Sequence, residues 1–118
     1  NDGFLYLTGR KDYLINVSGE KVNPEEIEEV VKMLKPIEEV VAIGVEHKIF
    51  GKVIKLLVKK YEGKEIDTLS IMTHCKQNLE RFKVPIKVEF VSNFPKNEHG
   101  KIIRFMLEEN NHGNEKDI

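Results

Sequence analysis

The chain has 118 residues, with 19 Lys and Arg against 20 Asp and Glu and a hydrophobic fraction of 40%. These values are typical of one globular domain, and the first residues lack the basic and apolar segments of a signal peptide, so we expect a cytoplasmic protein without a membrane span. A single cysteine excludes an intramolecular disulfide and a cysteine-rich zinc site.

The first predicted element is a hairpin. Residues 13–17 read as a strand, Ser18 and Gly19 as a turn, and residues 20–22 as the returning strand.

The next element is the clearest helix in the sequence. Asn23 can cap it and Pro24 suits its first position. We expect the helix to end near Lys35, because Pro36 follows. Its buried stripe should hold Ile27, Val30, Val31 and Leu34, and its water-facing side Glu28, Glu29 and Lys32.

Three further strands and a second helix follow. β-branched residues over 40–45 indicate a buried strand. Residues 53–61 indicate a second strand, and its lysines predict that this strand is half exposed: Lys55, Lys59 and Lys60. A helix capped by Asp67 or Thr68 should run to residues 84–85, with Leu69, Met72, Cys75, Leu79 and Phe82 on its apolar side. Residues 88–91 read as the last strand, 95–100 as a polar loop and 102–107 as a short helix.

This order of elements predicts an α+β fold. We expect a small two-layer domain, in which an N-terminal hairpin is followed by a three-stranded sheet with the helices packed on one face. Cys75 should be a small core residue. The histidines His47, His74, His99 and His112 have no metal-ligand spacing, so we expect them at the surface or in loops and expect no metal site.

Two glycine-containing segments stand out against this background. The first contains Gly9-Arg10-Lys11-Asp12 and continues from Leu14 to Glu28, and the second runs from Phe94 to Arg104. Each places a cation beside glycines, which permit tight turns or close approach to a ligand. Residues 47–107 carry 13 basic and 6 acidic residues. This excess could meet the phosphates of a nucleic acid or of a cofactor, or could be solvated lysine on strand faces.

These segments resemble the C-terminal domain of the adenylate-forming superfamily, which includes acyl-CoA synthetases, peptide synthetase adenylation domains and luciferases. The first matches its Gly-Arg-x-Asp and Gly-x-x-Val-x-Pro-x-Glu-Ile-Glu motifs, and the second its Pro-Lys-x-x-x-Gly-Lys-Ile-x-Arg motif. The resemblance implies that residues 1–107 form the small C-terminal domain, with residues 1–12 as the hinge region and residues 108–118 as a flexible polar tail. The large N-terminal domain of the family is absent from the chain.

The resemblance also implies an activity for the full-length enzyme. An acid–thiol ligase of this family forms an acyl-adenylate from a carboxylic acid and ATP with Mg²⁺, and then transfers the acyl group to coenzyme A. A role in fatty acid metabolism follows from the acyl-CoA synthetase members. We expect this chain alone to bind none of these cofactors and to be inactive, because its main partner is the missing N-terminal adenylation domain.

The family's functional residues map onto matching positions. Lys101 matches the catalytic lysine of acyl-adenylate formation, Asp12 the hinge, and Arg10 the arginine near the ribose of the nucleotide. Ser18, Gly19, Glu20 and Lys21 match the hairpin that lines the channel for the pantetheine arm of coenzyme A. No residue matches a metal ligand.

Two other functions remain open at this point. The acceptor thiol could belong to a carrier protein, although Ser18 and Lys96 are more typical of acyl-CoA synthetases than of peptide synthetase domains. The order of elements also suits a ferredoxin-like RNA-binding module. Such a module stacks bases on aromatic residues of a central strand, and residues 53–61 offer only Tyr61.

Overall fold

The computed structural model describes residues 14–49 and 51–102 of the chain. The predicted hinge region, the residues after Ile102 in the predicted terminal helix, and the predicted polar tail lie outside these ranges. In chain order the elements are β1 (Ile15–Val17), β2 (Glu20–Val22), α1 (Pro24–Lys32), β3 (Ile37–His47), β4 (Gly51–Lys60), α2 (Thr68–Asn78), a short 3₁₀ turn (Arg81–Lys83) and β5 (Lys87–Phe90).

The strands form two sheets. β1 and β2 pair as an antiparallel hairpin, and the other three strands form a sheet in the order β3-β4-β5. β3 and β4 are antiparallel, whereas β4 and β5 are parallel and joined through α2. The predicted α+β fold, in which a hairpin is followed by a three-stranded sheet with helices packed on it, is confirmed for the described residues.

Both helices begin where the sequence predicts. The side chain of Asn23 accepts a hydrogen bond from the backbone N–H of Glu25 at 2.9 Å, and Pro24 opens α1. The side chain of Asp67 caps α2 by accepting from the N–H of Ser70 at 2.8 Å. Hydrogen bonds from Ser70 lower the pKa of the Asp67 carboxyl, because they favour its charged form.

The helices end earlier than predicted. α1 stops at Lys32, about one turn before Pro36. α2 stops at Asn78, whose side-chain amide donates to the C=O of His74 at 2.8 Å and thereby occupies a carbonyl of the last turn. The single helix predicted up to residues 84–85 is therefore wrong, since the backbone is extended at Leu79 and resumes only as a 3₁₀ turn.

The apolar side of α2 also differs from the prediction. Ile71 and Cys75 are fully buried, whereas Leu69 is 73% exposed. Ile71 and Cys75 are four residues apart and thus share one face of the helix. The core position predicted for Cys75 is confirmed, and burial raises the pKa of its thiol to about 11.

Apolar residues cover both faces of the three-stranded sheet. On the helix side, Ile27 and Val31 of α1 pack with Ile71 of α2 against the strands. On the other side, a smaller cluster includes Val41, Ile43, Val45, Val53, Leu57 and Phe94. The sheet is therefore buried on both faces, and the loop that contains Phe94 covers the face away from the helices.

Glu28 was predicted to face water, and the structure places it inside. Its carboxylate is buried and accepts a hydrogen bond from the backbone N–H of Ala42 at 2.9 Å. β3 is an edge strand of the described sheet, and Ala42 lies on it. Lys32 adds a second link, because its Nζ donates to the C=O of Glu38 at 3.0 Å. α1 thus covers part of the edge of β3.

The prediction that the strand of Lys55 is half exposed is wrong at this residue. Its side chain is 1% exposed, and its Nζ lies 2.6 Å from Oε1 of Glu89 in β5. β4 is the central strand, so residues 53–58 are all buried. The ion pair allows an ammonium group to lie in this interior. Lys59 and Lys60 near the end of the strand are half-buried, as predicted.

The hairpin packs against the sheet at Gly44 of β3. A Cβ atom added at Gly44 would lie 2.8 Å from Cγ2 of Ile15 in β1. Real Cβ atoms do not approach a carbon atom this closely, and Ile15 is itself only 3% exposed. The absence of a side chain at Gly44 is therefore what allows the hairpin to lie close to the sheet.

We predict that Gly44→Ala lowers the free energy of unfolding of the chain by about 1–3 kcal/mol, the usual cost of overpacking. Urea denaturation measures this change. Ile15→Ala removes the clashing atom, so Gly44→Ala should cost much less in that background than in the wild type. Strictly additive costs of the two substitutions would contradict the contact.

Candidate functional site

The hairpin loop is the first candidate element. Val17 pairs with Glu20, which leaves Ser18 and Gly19 as a two-residue turn. Their φ angles are 51° and 89°, the signs that a type I′ turn requires. Residues 18–21 are all exposed. The structure thus places four predicted residues together, at the tip of the hairpin and at the start of β2: Ser18, Gly19, Glu20 and Lys21.

A cleft of about 660 Å³ lies beside this hairpin. One wall comes from the hairpin and the other from the end of β3 and the start of β4. The lining residues are Asn16, Ser18, Gly19, Glu46, His47, Lys48, Gly51 and Lys52. Two lysines and one glutamate give the second wall a net positive charge.

The prediction that all histidines lie at the surface or in loops is wrong for His47. It is the last residue of β3 and is 9% exposed. Its Nδ1 accepts a hydrogen bond from the backbone N–H of Ile49 at 3.1 Å, which orders the turn after β3. His99, in contrast, is exposed in a loop, as expected.

Lys101 lies in the second candidate element, a tight loop after β5. Lys96 and Ile102 form an isolated antiparallel bridge that closes this loop. The C=O of Asn97 accepts from the N–H of Gly100 at 2.9 Å, and Gly100 has a φ of 82°. Asn at the first position of such a turn and Gly at the fourth are favoured residues. Lys101 follows directly and is exposed.

The loop of Lys101 is attached to the sheet at two places. Nζ of Lys96 lies 2.8 Å from Oε2 of Glu39 near the start of β3. Ile102 packs against the apolar cluster on the sheet face away from the helices. The segment that leads into the loop is held by Phe94, which is 6% exposed in the same cluster.

The two candidate elements lie at opposite ends of β3. The hairpin loop shares its cleft with Glu46 to Lys48, whereas the loop of Lys101 is attached at Glu39. Glu39 and His47 are eight positions apart along the strand, which corresponds to roughly 26 Å at about 3.3 Å per residue. The structure therefore does not bring the hairpin and Lys101 into one site.

Three further predictions concern the hinge region, a metal site and a membrane span. Arg10 and Asp12 lie outside the described residues. Across residues 14–49 and 51–102, no group of three His, Cys, Asp or Glu side chains is arranged to hold a metal ion. No helix in these ranges has the length and apolar character needed to cross a bilayer.

The sequence interpretation did not single out three residues that the structure makes prominent. Lys48 and Lys52 flank the hairpin cleft only because β3 ends and β4 begins beside the hairpin, and no local motif indicates that proximity. Asn97 could have been found, because Asn three residues before Gly is a turn signal. Its hydrogen bonds to Lys101 required the structure.

Comparison with known proteins gives a family match and close relatives. A model of the AMP-binding enzyme C-terminal domain matches residues 26–101. A probable CoA ligase of Humulus lupulus, CCL9, is 40% identical over 108 residues, which cover 92% of this chain and 21% of that protein. The 3,4-dihydroxybenzoate–[aryl-carrier protein] ligase of Bacillus anthracis is 38% identical over 104 residues, covering 88% of this chain and 24% of that protein.

Solved structures agree with the sequence matches. The crystal structure of ATP-bound MatB from Rhodopseudomonas palustris has a TM-score of 0.84 and 31% sequence identity. The similarity covers 87% of this chain and 20% of that one. The chain thus spans between a fifth and a quarter of the length of these proteins.

Proposed function

The chain belongs to the AMP-binding enzyme C-terminal domain family, and from this membership we propose that it is the mobile C-terminal domain of an ATP-dependent acyl-CoA synthetase. In the proposed first step, a carboxylate oxygen of the acid attacks the α-phosphorus of ATP, so that an acyl-adenylate forms and pyrophosphate leaves. In the second step, the sulfur of coenzyme A, having lost its proton, attacks the acyl carbon and AMP leaves.

The observation that carries this proposal is the separation of the two loops. Each loop is proposed to serve one step, and they lie at opposite ends of β3. A domain in one orientation cannot place both at a single reaction centre. Rotation of the domain would exchange them, so one pocket could serve two chemistries in turn. We propose that the rotation occurs at Asp12.

Lys101 is proposed to act in the first step. The carboxylate and the triphosphate are both anionic and repel each other when they meet. An ammonium group fixed between them offsets this repulsion and stabilises the negative charge of the transition state. Lys101 suits the role because it is exposed on a tightly hydrogen-bonded loop. Arg10 is proposed to contact the ribose of the same nucleotide.

The hairpin is proposed to act in the second step. Ser18, Gly19, Glu20 and Lys21 would line the channel through which the pantetheine thiol reaches the acyl-adenylate. Gly19 has no side chain and nothing within 4 Å of the position that a Cβ would occupy, so the tip of the hairpin is slim. Lys48 and Lys52 place positive charge beside this cleft, which suits the phosphates of coenzyme A.

The remaining groups of the reaction are assigned to the full-length enzyme. We propose that its N-terminal adenylation domain supplies the Mg²⁺ ligands, the pocket for the carboxylic acid and most contacts to ATP. This chain would contribute Arg10 and Lys101 toward the nucleotide. The proposal places the enzyme in the cytoplasm.

Transfer to a carrier protein is the second candidate function. It is favoured by the aryl-carrier protein ligase among the relatives. Every residue of this chain keeps its proposed role, because the carrier also presents a pantetheine thiol. Incubation of the full-length enzyme with coenzyme A or with a pantetheine-loaded carrier protein distinguishes the two acceptors. An RNA-binding role is disfavoured, because residues 53–58 of the central strand are buried and present no aromatic platform.

We predict that Lys101→Ala in the full-length enzyme slows adenylate formation by at least about 100-fold, a typical effect of removing one transition-state contact. Thioester formation from supplied acyl-adenylate should remain within a few-fold of wild type, because Lys101 has rotated away in that step. Pyrophosphate exchange and thioester release measure the two steps separately. Acetylation of Lys101 should reproduce the substitution, since it removes the same charge. Equal losses in both steps would refute a step-specific role.

The reciprocal prediction concerns Gly19. Gly19→Leu should slow thioester formation and spare adenylation, because a branched side chain would fill the channel and strain a residue with a φ of 89°. Gly63→Leu is the matched control. Gly63 has a φ of 81° and an equally open surrounding, but it lies in the turn between β4 and α2. If both substitutions affect the two steps alike, the hairpin has no special part in thioester formation.

The hinge is tested by Asp12→Pro. Proline fixes φ near −65° and restricts the preceding residue, so it should hold the domain in one orientation. If that is the adenylating orientation, adenylate should still form, while transfer to the thiol should fall by orders of magnitude. Asp12→Ala leaves φ free and should support both steps. Near-normal rates of both steps in the proline variant would show that Asp12 is not the pivot.

A further inference from the structure

The loop of Lys101 is organised by one residue, Asn97. The backbone N–H of Asn97 donates to the C=O of Lys101 at 2.9 Å. The side-chain oxygen Oδ1 of Asn97 accepts from the N–H of Lys101 at 3.0 Å. Both backbone polar groups of Lys101 are therefore bound to the same residue.

Asn97 also shapes the turn between these two residues. Its Oδ1 accepts a second hydrogen bond, from the N–H of His99 at 2.8 Å, and its C=O accepts from Gly100 at 2.9 Å. Asn side chains commonly bond the backbone two residues ahead in this way. A single carboxamide oxygen thus joins the turn to the residue that follows it.

Asn97 is itself held to the sheet through its neighbour. Lys96 bridges to Ile102 and pairs with Glu39 of β3 at 2.8 Å. The loop that contains Asn97 and Lys101 is therefore closed by the Lys96–Ile102 bridge and attached to β3 through Lys96. A flexible lysine side chain extends from a backbone that is already fixed.

From this network we propose that Asn97 is a positioning residue for Lys101 in acyl-adenylate formation. The proposal rests on the function assigned above to Lys101. Asn97 does not touch the substrates; it fixes the backbone from which the ammonium group reaches them. Loss of its Oδ1 would leave two N–H groups of the loop without their acceptor and let the backbone of Lys101 move.

The sharpest test compares two substitutions in the full-length enzyme. Asn97→Ala removes the acceptor, and it should lower kcat of adenylation about 10–100-fold, because small displacements of a catalytic group are costly. KM for ATP and for the acid should change little. Asn97→Asp keeps an acceptor oxygen in the same place, and Asp supports the same turn. It should therefore retain more activity than Asn97→Ala.

This order of activities separates positioning from electrostatics. Asp adds a negative charge close to where two anionic substrates meet, so a purely electrostatic effect would make Asn97→Asp the worse variant. Rescue by Asp relative to Ala requires the hydrogen bonds. Thioester formation from supplied acyl-adenylate should stay near wild type in both variants.

Gly100 provides an independent probe of the same loop. Its φ is 82°, and nothing lies within 4 Å of the position of an added Cβ, so a substitution there perturbs the backbone alone. Gly100→Ala should lower kcat of adenylation, and Gly100→Asn should lower it less, because Asn tolerates this conformation better. Gly63→Ala adds the same kind of strain in another turn and should leave kcat unchanged.

The outcomes distinguish this inference from the proposed function. If Lys101→Ala abolishes adenylation while Asn97→Ala stays within two-fold of wild type, the positioning role is wrong and the catalytic lysine stands. Equal losses in both half-reactions of Asn97→Ala, or lower activity of Asn97→Asp than of Asn97→Ala, would also overturn it. If Lys101→Ala itself leaves adenylation intact, the proposed function fails first.

Discussion

The β3–β4 pair is the constraint on which the rest of the domain depends. Ten residue pairs join the two antiparallel strands, and apolar residues bury both of their faces. Such a ladder is stiff along its length, so the two ends keep a fixed separation. The hairpin tip lies beside one end, and the loop of Lys101 is tied to the other. The strand pair thus acts as a rigid spacer between the two candidate elements.

This spacer makes rigid-body rotation a simple way to use both loops at one pocket. If the loops were carried on flexible segments, each could reach the reaction centre without moving the other. Here the hairpin packs against β3 at Gly44, and Lys96 forms an ion pair with Glu39 of the same strand. Both loops are therefore attached to the same sheet. In the proposed two-step reaction, movement of the whole domain would exchange one loop for the other.

The sequence predicted what local chemistry determines. Asn23, Pro24 and Asp67 define helix starts through their own hydrogen bonds and backbone angles, and the structure has them where expected. It did not predict features that depend on distant partners. Glu28 is buried because Ala42 offers an N–H at the edge of β3, and Lys55 is buried because Glu89 lies on the neighbouring strand. For the site, the motifs predicted Lys101 and the hairpin as candidates, and their roles stay predictions, whereas the separation of the two required the topology of the sheet.

The glycines show how the same residue type meets two different physical needs. Gly19 and Gly100 have positive φ angles and open space around them, so the backbone conformation is what excludes other residues. At Gly44 the nearby Ile15 side chain leaves no room for a Cβ, so space is what excludes them. The first two shape loops that are proposed to meet ligands, and the third fixes one of those loops to the sheet. Sequence alone marks all three simply as glycine, and only the neighbouring atoms tell the two needs apart.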